Sequence, residues 1–147
     1  MKALTICQPY AHLIMQGRKT CENRTWATNY RGLLYIHAGK SRDWLNDDGD
    51  GIDLEYQIEI DRMDFGAVIA VCKLAACLHI ESPLLGGWLV KMTEEQREHV
   101  SGPYCWILSD VSPVVPVPWR GAQGLWDCAA VTESIPAVQH SDQREKS

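Results

Sequence analysis

Positive charge is in deficit along this chain. Fourteen Lys and Arg residues stand against nineteen Asp and Glu residues, which gives a formal net charge of −5 at pH 7. Tight, sequence-independent binding of a long nucleic-acid duplex usually requires a basic surface that displaces counterions. The composition therefore argues against long duplex DNA as a partner. A nucleoside, a short strand or an RNA segment held by one local basic cleft remains compatible with it.

Motifs for metal binding, phosphate binding and nucleophile elbows are also missing. None of the six cysteines stands in a Cys-x-x-Cys pair, the five histidines are scattered, and no glycine-rich phosphate loop is present. The segment from Asn46 to Gln57 resembles a calcium loop at its first, third, fifth and sixth positions. It carries Asp53 where an apolar residue is expected and Gln57 where the bidentate Glu belongs. We interpret it as a solvated acidic loop and expect no metal and no cofactor.

No uninterrupted apolar segment has the length of a membrane span. The amino-terminal residues are broken by Gln8, Pro9 and His12, so they do not form the apolar stretch of a signal peptide. No other run approaches the roughly 18 apolar residues that a spanning helix needs. Most cysteines lie in apolar stretches, which is typical of reduced, buried thiols. We therefore expect a cytoplasmic protein without a membrane partner.

Apolar alternation and turn residues predict a mainly β fold with a few short helices. The Pro spacing of residues 112–119 is incompatible with a central strand, and residues 132–147 are predicted to form a flexible tail after a domain at 1–131. Because no βαβα alternation is visible, we expect an α+β fold with a small mixed or barrel-like sheet. The predicted strands are 3–7, 33–37, 65–78, 104–108 and a last one after Gly124; the predicted helices are 9–17, 52–63 and one capped by Thr93.

The decapeptide GRKTCENRTW at residues 17–26 concentrates charge beside an aromatic residue. If it is extended, Glu22, Arg24 and Trp26 share one face, and Lys19 can reach that face from the preceding turn. Such a cluster can activate a nucleophile or water, or can hold an anionic or amide group. An ion-paired edge strand with solvated side chains has the same pattern. The residues alone leave both interpretations open.

Short motifs follow one another in a defined order over residues 3–130. In order, they resemble those of the ASCH domain, the activating-signal-cointegrator homology family related to PUA-like barrels. The resemblance implies a PUA-like mixed β-barrel with two or three short helices and a cleft facing the Gly-x-Lys segment. The motifs are Gln8-Pro9, Gly17-Arg18-Lys19-Thr20, Glu22-Asn23-Arg24-Thr25-Trp26, Tyr30-Arg31-Gly32, Ile36-His37-Ala38, Phe65-Gly66-Ala67-Val68-Ile69-Ala70, Tyr104-Cys105-Trp106 and Gly121-Ala122-Gln123-Gly124-Leu125-Trp126.

The resemblance also implies a role in RNA or nucleoside metabolism. Most family members are predicted RNA-binding modules, and a small bacterial branch hydrolyses the N4-acetyl group of acetylated cytidine. In that branch the Lys of Gly-x-Lys, a Thr three residues later and a Glu from a later helix carry the chemistry. Lys19 matches the Lys, whereas Glu22 stands at the Thr position. Candidates for the later acid are Glu94, Glu95 and Glu98.

Two functions are compatible with these residues. The first is a binding module for RNA or a modified nucleoside, in which a tryptophan stacks on the base. The second is an amidohydrolase or ribonuclease with Lys19 and Glu22 as catalytic residues. An accessory domain whose cleft residues only hold the fold is the third possibility. The residues expected to contact a ligand are Gln8, Pro9, Lys19, Glu22, Arg24, Trp26, Arg31, His37, Gln123 and Trp126.

Overall fold

Eight strands and three short helices make up residues 1–128, the part of the chain that the computed structural model describes. The predicted tail at 132–147 lies outside these residues. None of the described helices combines the length and the apolarity needed to cross a membrane. The elements are β1 (Lys2–Ile6), α1 (Tyr10–Met15), β2 (Cys21–Arg24), β3 (Gly32–Ala38), β4 (Ile52–Asp53), β5 (Ile58–Glu59), β6 (Ala67–His79), α2 (Leu85–Leu89), α3 (Glu94–Glu98), β7 (Tyr104–Pro118) and β8 (Leu125–Asp127).

Six strands form one mixed, curled sheet in the order β2-β7-β6-β3-β1-β8. Strand β1 is parallel to β3, and the other neighbours are antiparallel. Arg24 in β2 donates a hydrogen bond from Nη2 to the carbonyl of Thr5 in β1 at 2.9 Å. In a flat sheet these two strands, four positions apart, would be separated by about 19 Å. The sheet is therefore a half-barrel, and the predicted α+β fold with a mixed barrel-like sheet and two or three short helices is confirmed.

Helix α1 packs against the curled sheet, and its C-terminal end fixes the turn that follows the helix. Ala11 and Ile14 are buried in the main core cluster together with side chains of β1, β3, β6 and β7. The helix ends because Gly17 adopts a φ of +78°, a conformation in which glycine is favoured. The backbone N–H groups of Arg18 and Lys19 then both donate to the carbonyl of Leu13, at 3.0 and 3.2 Å. This cap fixes the direction in which the Gly-x-Lys segment leaves the helix.

The helix predicted for residues 52–63 is wrong. Strands β4 and β5 pair there as a two-stranded ribbon, followed by a single 3-10 turn at Ile60–Arg62. The cause is Asp53, which is 1% exposed and accepts hydrogen bonds from the backbone N–H groups of Asn46 and Tyr56 at 2.8 and 2.9 Å. These hydrogen bonds give backbone N–H groups of the loop an acceptor without the formation of a helix. Helix α2 was not predicted, because its LGGWL sequence contains two glycines.

Strand β7 continues beyond the predicted residues 104–108 and through the proline-rich segment. Among the described residues, Tyr104–Ile107 pairs with β2, and β7 pairs with β6 from Tyr104 to Pro118 with several register shifts. Proline removes a ladder donor and is found at strand edges and bulges. The segment is thus extended, as the proline spacing indicates.

Candidate functional site

Lys19 is buried at the turn between α1 and β2. It is 4% exposed, and its Nζ donates a hydrogen bond to the carbonyl of Cys21 at 2.6 Å. The same Nζ lies 3.6 Å from Oε1 of Glu22 and 5.5 Å from the centroid of the Tyr10 ring. A buried ammonium requires such compensation, because desolvation of an isolated charge is unfavourable. Carboxylate, carbonyl and ring together provide it.

Glu22 and Arg24 project from the same face of β2, as strand alternation predicts. Oε2 of Glu22 lies 2.9 Å from Nη2 of Arg24, and the Glu22 side chain is only 12% exposed. Glu22 therefore joins Lys19 and Arg24 into one ion-paired group, which we call the cleft cluster. The structure brings together three of the four residues of the predicted face. Trp26 lies beyond the end of the strand.

A cleft of about 480 Å³ opens above Lys19 and Glu22. Its walls come from α1, from the segment before and within the β4–β5 ribbon, and from the end of α3 and the loop that follows it. Aromatic rings and polar side chains alternate around it. The lining residues are Cys7, Tyr10, Lys19, Glu22, Asn23, Trp44, Tyr56, Glu98, His99 and Ser101.

The rings of the cleft meet edge to face rather than in a stack. The Tyr10 centroid lies 6.3 Å from that of Trp44 and 6.5 Å from that of Tyr56, with interplanar angles of 60° and 74°. The rings of Tyr56 and His99 lie 5.8 Å apart at a tilt of 34°. Trp44 is 61% exposed, so much of its ring surface is available to a ligand. Faces that point in different directions surround the space above Lys19.

Arg18 and Asn23 hold the cleft walls in place. Arg18 pairs with Glu95 of α3 through Nη2 at 2.9 Å, and its guanidinium carbon lies 5.7 Å from the Tyr56 ring centroid. Asn23 donates to the carbonyl of His99 at 2.7 Å and accepts from the N–H groups of Ser101 and Gly102 at 2.9 and 2.8 Å. Two residues of the GRKTCENRTW segment, Arg18 and Asn23, thus hold α3 and the loop after it in position.

The protonation of the cleft follows from its burial. Burial, aided by Glu55, raises the pKa of Tyr10, and the same two causes raise the pKa of Tyr56 to about 12. Burial also lowers the pKa of His99, with Lys19 as the next cause, and raises the pKa of the Cys7 thiol. At neutral pH the phenols, the imidazole and the thiol are accordingly uncharged.

Gln8 and Pro9 support the site from beneath. Gln8 is fully buried; its side chain donates to the carbonyl of Asp64 at 2.8 Å and accepts from the N–H of His12 at 2.9 Å. Pro9 is buried at the start of α1. Neither residue is among the cleft-lining side chains in the described part of the chain. Their predicted ligand contacts stay a prediction, and their observed role is to anchor α1.

His37 and Trp126 belong to a second cluster, which we call the relay cluster and define as Thr5, His37, Trp119 and Trp126. Trp126 Nε1 donates to Thr5 Oγ1 at 3.2 Å, and the Thr5 hydroxyl lies 3.1 Å from His37 Nδ1. His37 Nε2 lies 2.6 Å from the carbonyl of Trp119, so Nε2 carries the proton and Nδ1 accepts from Thr5. Burial lowers the pKa of His37, which keeps this arrangement neutral.

Trp26, Arg31 and Gln123 lie outside the cleft lining within residues 1–128. The Trp26 ring meets the Trp106 ring edge to face, with centroids 4.8 Å apart. Arg31 donates through Nη1 to the carbonyls of Thr28 and Tyr30 at 2.9 and 2.8 Å, and Gln123 is exposed. Their predicted contacts with a ligand remain predictions.

The sequence analysis did not identify the aromatic wall of the cleft, which we define as Tyr10, Trp44 and Tyr56. Tyr10 lies within the helix predicted for residues 9–17, Tyr56 lies within the helix predicted for residues 52–63, and Trp44 lies outside every predicted element. His99 follows the capped helix α3 and carries no local motif. Glu98 was one of three candidate acids, and it is the one that lines the cleft.

The acidic segment 46–57 uses its carboxylates on its own backbone. Asp47 Oδ1 accepts from the N–H groups of Gly49 and Gly51, and Asp48 Oδ1 accepts from those of Asp50 and Ile52, all within 3.2 Å. No group of three or more His, Cys, Asp or Glu side chains within residues 1–128 is arranged to hold a metal ion.

A half-barrel of mixed strands with three short helices and a cleft over a Gly-x-Lys turn defines a small α+β class of domain. The family model of the ASCH domain matches residues 4–118. The chain belongs to the ASCH-domain family, whose general association is with RNA binding. A search of curated proteins finds no significant match.

Crystal structures of ASCH from Zymomonas mobilis have a similar fold. The first shares 18% identity at a TM-score of 0.53 and covers 90% of both chains. A Tyr-to-Phe mutant of that protein shares 18% identity at a TM-score of 0.53, and the match covers 90% of this chain and 94% of the mutant's chain. A Ser-to-Ala mutant shares 16% identity at 0.54, covering 92% and 96%. At these identities the likeness shows the fold.

Proposed function

We propose that the cleft binds the base of a modified nucleoside or of an unpaired RNA nucleotide. The observation that carries this proposal is the buried Lys19–Glu22 pair beneath the rings of a cleft of about 480 Å³. Volumes of roughly 300–1,000 Å³ with apolar walls and a few convergent polar groups are typical of small-molecule sites. A nucleobase presents flat faces and a polar edge, and this cleft offers matching partners for both.

The aromatic wall supplies the stacking surface. Trp44 is exposed at the mouth, and the rings of Tyr10 and Tyr56 flank the space beneath it. Stacking of one base on an aromatic side chain contributes about 1–3 kcal/mol. It also tolerates different bases, so specificity must come from the polar floor.

The floor supplies complementary hydrogen-bonding groups. The Lys19 ammonium has three donors and the Glu22 carboxylate about four acceptor sites, and their contacts with the protein leave some of each available. The edge of a base carries donors and acceptors side by side, which a neighbouring cation and carboxylate can pair. Buried polar groups discriminate strongly against a ligand that leaves them unpaired.

The burial of Lys19 supports a splayed or free base rather than a duplex. At 4% exposure its ammonium is out of reach of a backbone phosphate on a duplex surface. Sequence-specific RNA recognition commonly uses unstacked bases that enter aromatic pockets. Long duplex DNA is therefore not the ligand that we propose.

Hydrolysis of an acyl group on the base is a second candidate function. It is favoured by the presence of His99 and Glu98 in the same cleft as Lys19 and Glu22. Glu22 or the neutral imidazole of His99 would take a proton from water as its oxygen attacks the acyl carbon. Lys19 would stabilise the oxyanion, and the proton would pass to the departing amine, giving a carboxylate and the free base. Ribonuclease activity is less favoured, because the lining formed by residues 1–128 contains one cationic side chain, that of Lys19.

Incubation with a panel of nucleosides tests both functions. The panel contains cytidine, N4-acetylcytidine, adenosine and a short unpaired RNA, with calorimetry for binding and mass spectrometry for product. We expect Lys19→Met to remove binding, whereas Lys91→Met, an exposed lysine outside the lining, leaves it unchanged. Absence of binding and of product across the panel contradicts both functions.

A further inference from the structure

The cleft is poorer in cations than a phosphate site should be. Its lining contains the ammonium of Lys19 against the carboxylates of Glu22 and Glu98. Glu55 adds negative charge nearby, since its carboxylate is the next cause after burial of the raised pKa of both Tyr10 and Tyr56. This space therefore offers an anionic group little net attraction.

The nearby guanidinium groups reduce this imbalance but are themselves paired. Arg18 is paired with Glu95 at 2.9 Å, and Arg24 is paired with Glu22 at the same distance. Lys19 and Arg24 thus balance Glu22 and Glu98, and Glu55 leaves a small excess of negative charge near the cleft. Glu98 has no ion pair among the described residues, so its carboxylate is free to accept a hydrogen bond.

The rings reinforce this preference. Tyr10, Trp44 and Tyr56 are the electron-rich rings of the cleft, and their mutual angles of 60° and 74° turn their faces in different directions. A cation over such a face is attracted by the ring quadrupole, most strongly over Trp. The Tyr10 ring already contacts the ammonium of Lys19, and the Tyr56 ring lies under the guanidinium of Arg18. Trp44, at 61% exposure, is therefore the ring that offers an open face to a delocalised positive charge, with the carboxylate of Glu98 in the same lining.

Resting on the proposed function, we propose that the cleft selects a nucleoside whose base carries a fixed positive charge through N-alkylation. The 1-methyladenosine and 3-methylcytidine cations have this chemistry. In each, the alkylated ring nitrogen adjoins an exocyclic amino group, so the charged edge is also a hydrogen-bond donor. Glu22 and Glu98 accept from that edge while Trp44 covers one of its faces. The uncharged parent base gains only the stacking.

The test compares matched nucleosides by calorimetry at pH 7. The pairs are 1-methyladenosine with adenosine and 3-methylcytidine with cytidine. We expect the cationic member of each pair to bind about tenfold more tightly or better, the factor that corresponds to a partly desolvated cation–π contact. Trp44→Leu keeps an apolar side chain but removes the ring, and it should abolish most of that preference.

Glu98→Gln tests the carboxylate, and Glu94→Gln is its matched control. Both residues are exposed on α3, but only Glu98 lines the cleft. We expect Glu98→Gln to reduce the preference for the cation and Glu94→Gln to preserve it. Thermal melts confirm that these surface variants fold.

The outcomes separate this inference from the function on which it rests. Equal affinity for the cationic and parent nucleosides overturns the inference and leaves nucleoside binding in place. A preference that Trp44→Leu and Glu98→Gln leave intact also overturns it, because neither the Trp44 ring nor the Glu98 carboxylate would be its source. Failure of every nucleoside to bind overturns both proposals.

Discussion

The cleft cluster and the relay cluster are joined by the hydrogen bond from Arg24 to the carbonyl of Thr5, but they use their hydrogen-bonding groups differently. In the relay cluster, Trp126 donates to Thr5, Thr5 donates to His37, and His37 donates to the carbonyl of Trp119. Each donor of this chain meets an acceptor inside the protein. In the cleft cluster, by contrast, Lys19 keeps unpaired donors and Glu22 keeps unpaired acceptor sites, and both side chains line the cleft.

This difference separates a stabilising cluster from a binding one. A fully paired polar network rigidifies the fold and offers little to a ligand. An ion pair that is nearly buried but incompletely paired gains further when a ligand completes it. We therefore expect changes in the relay cluster to affect stability first and changes around the cleft to affect binding first.

Glu22→Ala should have the largest effect, and it tests whether the cleft cluster is also structural. The substitution leaves the ammonium of Lys19, 5% exposed, without its carboxylate. Removal of one partner from a buried pair is expected to reduce the free energy of unfolding by about 3 kcal/mol. Chemical denaturation measures the loss, and nucleoside binding should disappear with it.

The double variant Lys19→Met, Glu22→Leu is the control for that prediction. It removes both charges and fills their space with apolar side chains, which is often nearly neutral for a buried pair. We expect it to fold more stably than Glu22→Ala while still lacking binding. A double variant less stable than the single one would show that the pair itself stabilises the fold.

Gly121→Ala should destabilise the relay cluster without affecting the cleft. A Cβ at Gly121 would lie 2.6 Å from Thr5 Oγ1 and 2.7 Å from His37 Cε1, too close for either atom. Overpacking of this kind typically lowers stability by about 2 kcal/mol. Gly86→Ala is the control, because its Cβ would meet no atom within 4 Å and it lies within α2. Equal melting temperatures for the two variants would contradict the close packing of the relay cluster.

Acidification should weaken stability and binding through different histidines. Burial lowers the folded-state pKa of His12 and His37 below the ordinary value of about 6.5. Below that pH the unfolded chain takes up protons first, so the free energy of unfolding falls as pH falls toward the folded-state pKa values. Denaturation measured between pH 7.5 and 5 should show this decline.

Binding of a cationic nucleoside should fall in the same range because His99 becomes charged. Burial lowers its pKa, so the imidazole is neutral at pH 7 and repels the ligand only after acidification. His99→Gln should remove the pH dependence of binding and preserve most of that of stability. Retention of the pH dependence of binding in this variant would contradict the role of His99. The charged groups that face it are Lys19, Arg18, Glu55, Glu95 and Glu98.

The strands of the main sheet and the charged floor were predictable from the sequence, because both depend on residues that are neighbours in the chain. Strand β2 places Glu22 and Arg24 on one face through its period of two, and β6 is a long apolar run bounded by Gly66. The turn that aims Lys19 follows from one glycine cap. Such features need no knowledge of distant residues.

The aromatic wall was not accessible because it depends on contacts between distant residues. Tyr56 lies in a ribbon whose shape follows from the buried carboxylate of Asp53, and a polar residue in an acidic segment gives no sign of burial. The position of His99 follows from Asn23, 76 residues earlier. Likewise, the motif resemblance pointed to His37 and Trp126, but only their geometry reveals that they pair with each other.

Arg18→Lys should have the smallest effect. It tests whether a side chain outside the lining affects the affinity of the cleft for its ligand. The guanidinium contacts Glu95 through Nε and Nη2 and lies over the Tyr56 ring, thereby joining two walls. Lysine keeps the charge but cannot form this fork or stack in the same way. Because the ion pair is exposed, we expect little change in melting temperature and a loss of affinity of a few-fold, on the order of an exposed cation–π contact.

Arg62→Lys is the matched control for Arg18→Lys. Arg62 also pairs with a glutamate at 2.9 Å, Glu59, but this pair is more exposed and lies outside the cleft lining. If both substitutions leave affinity unchanged, the cleft walls hold their positions without Arg18, and the hydrogen bonds of Asn23 and Gln96 are sufficient. If only Arg18→Lys weakens binding while the two melting temperatures agree, an exposed ion pair that adds little to stability acts by positioning the aromatic wall over the cleft cluster.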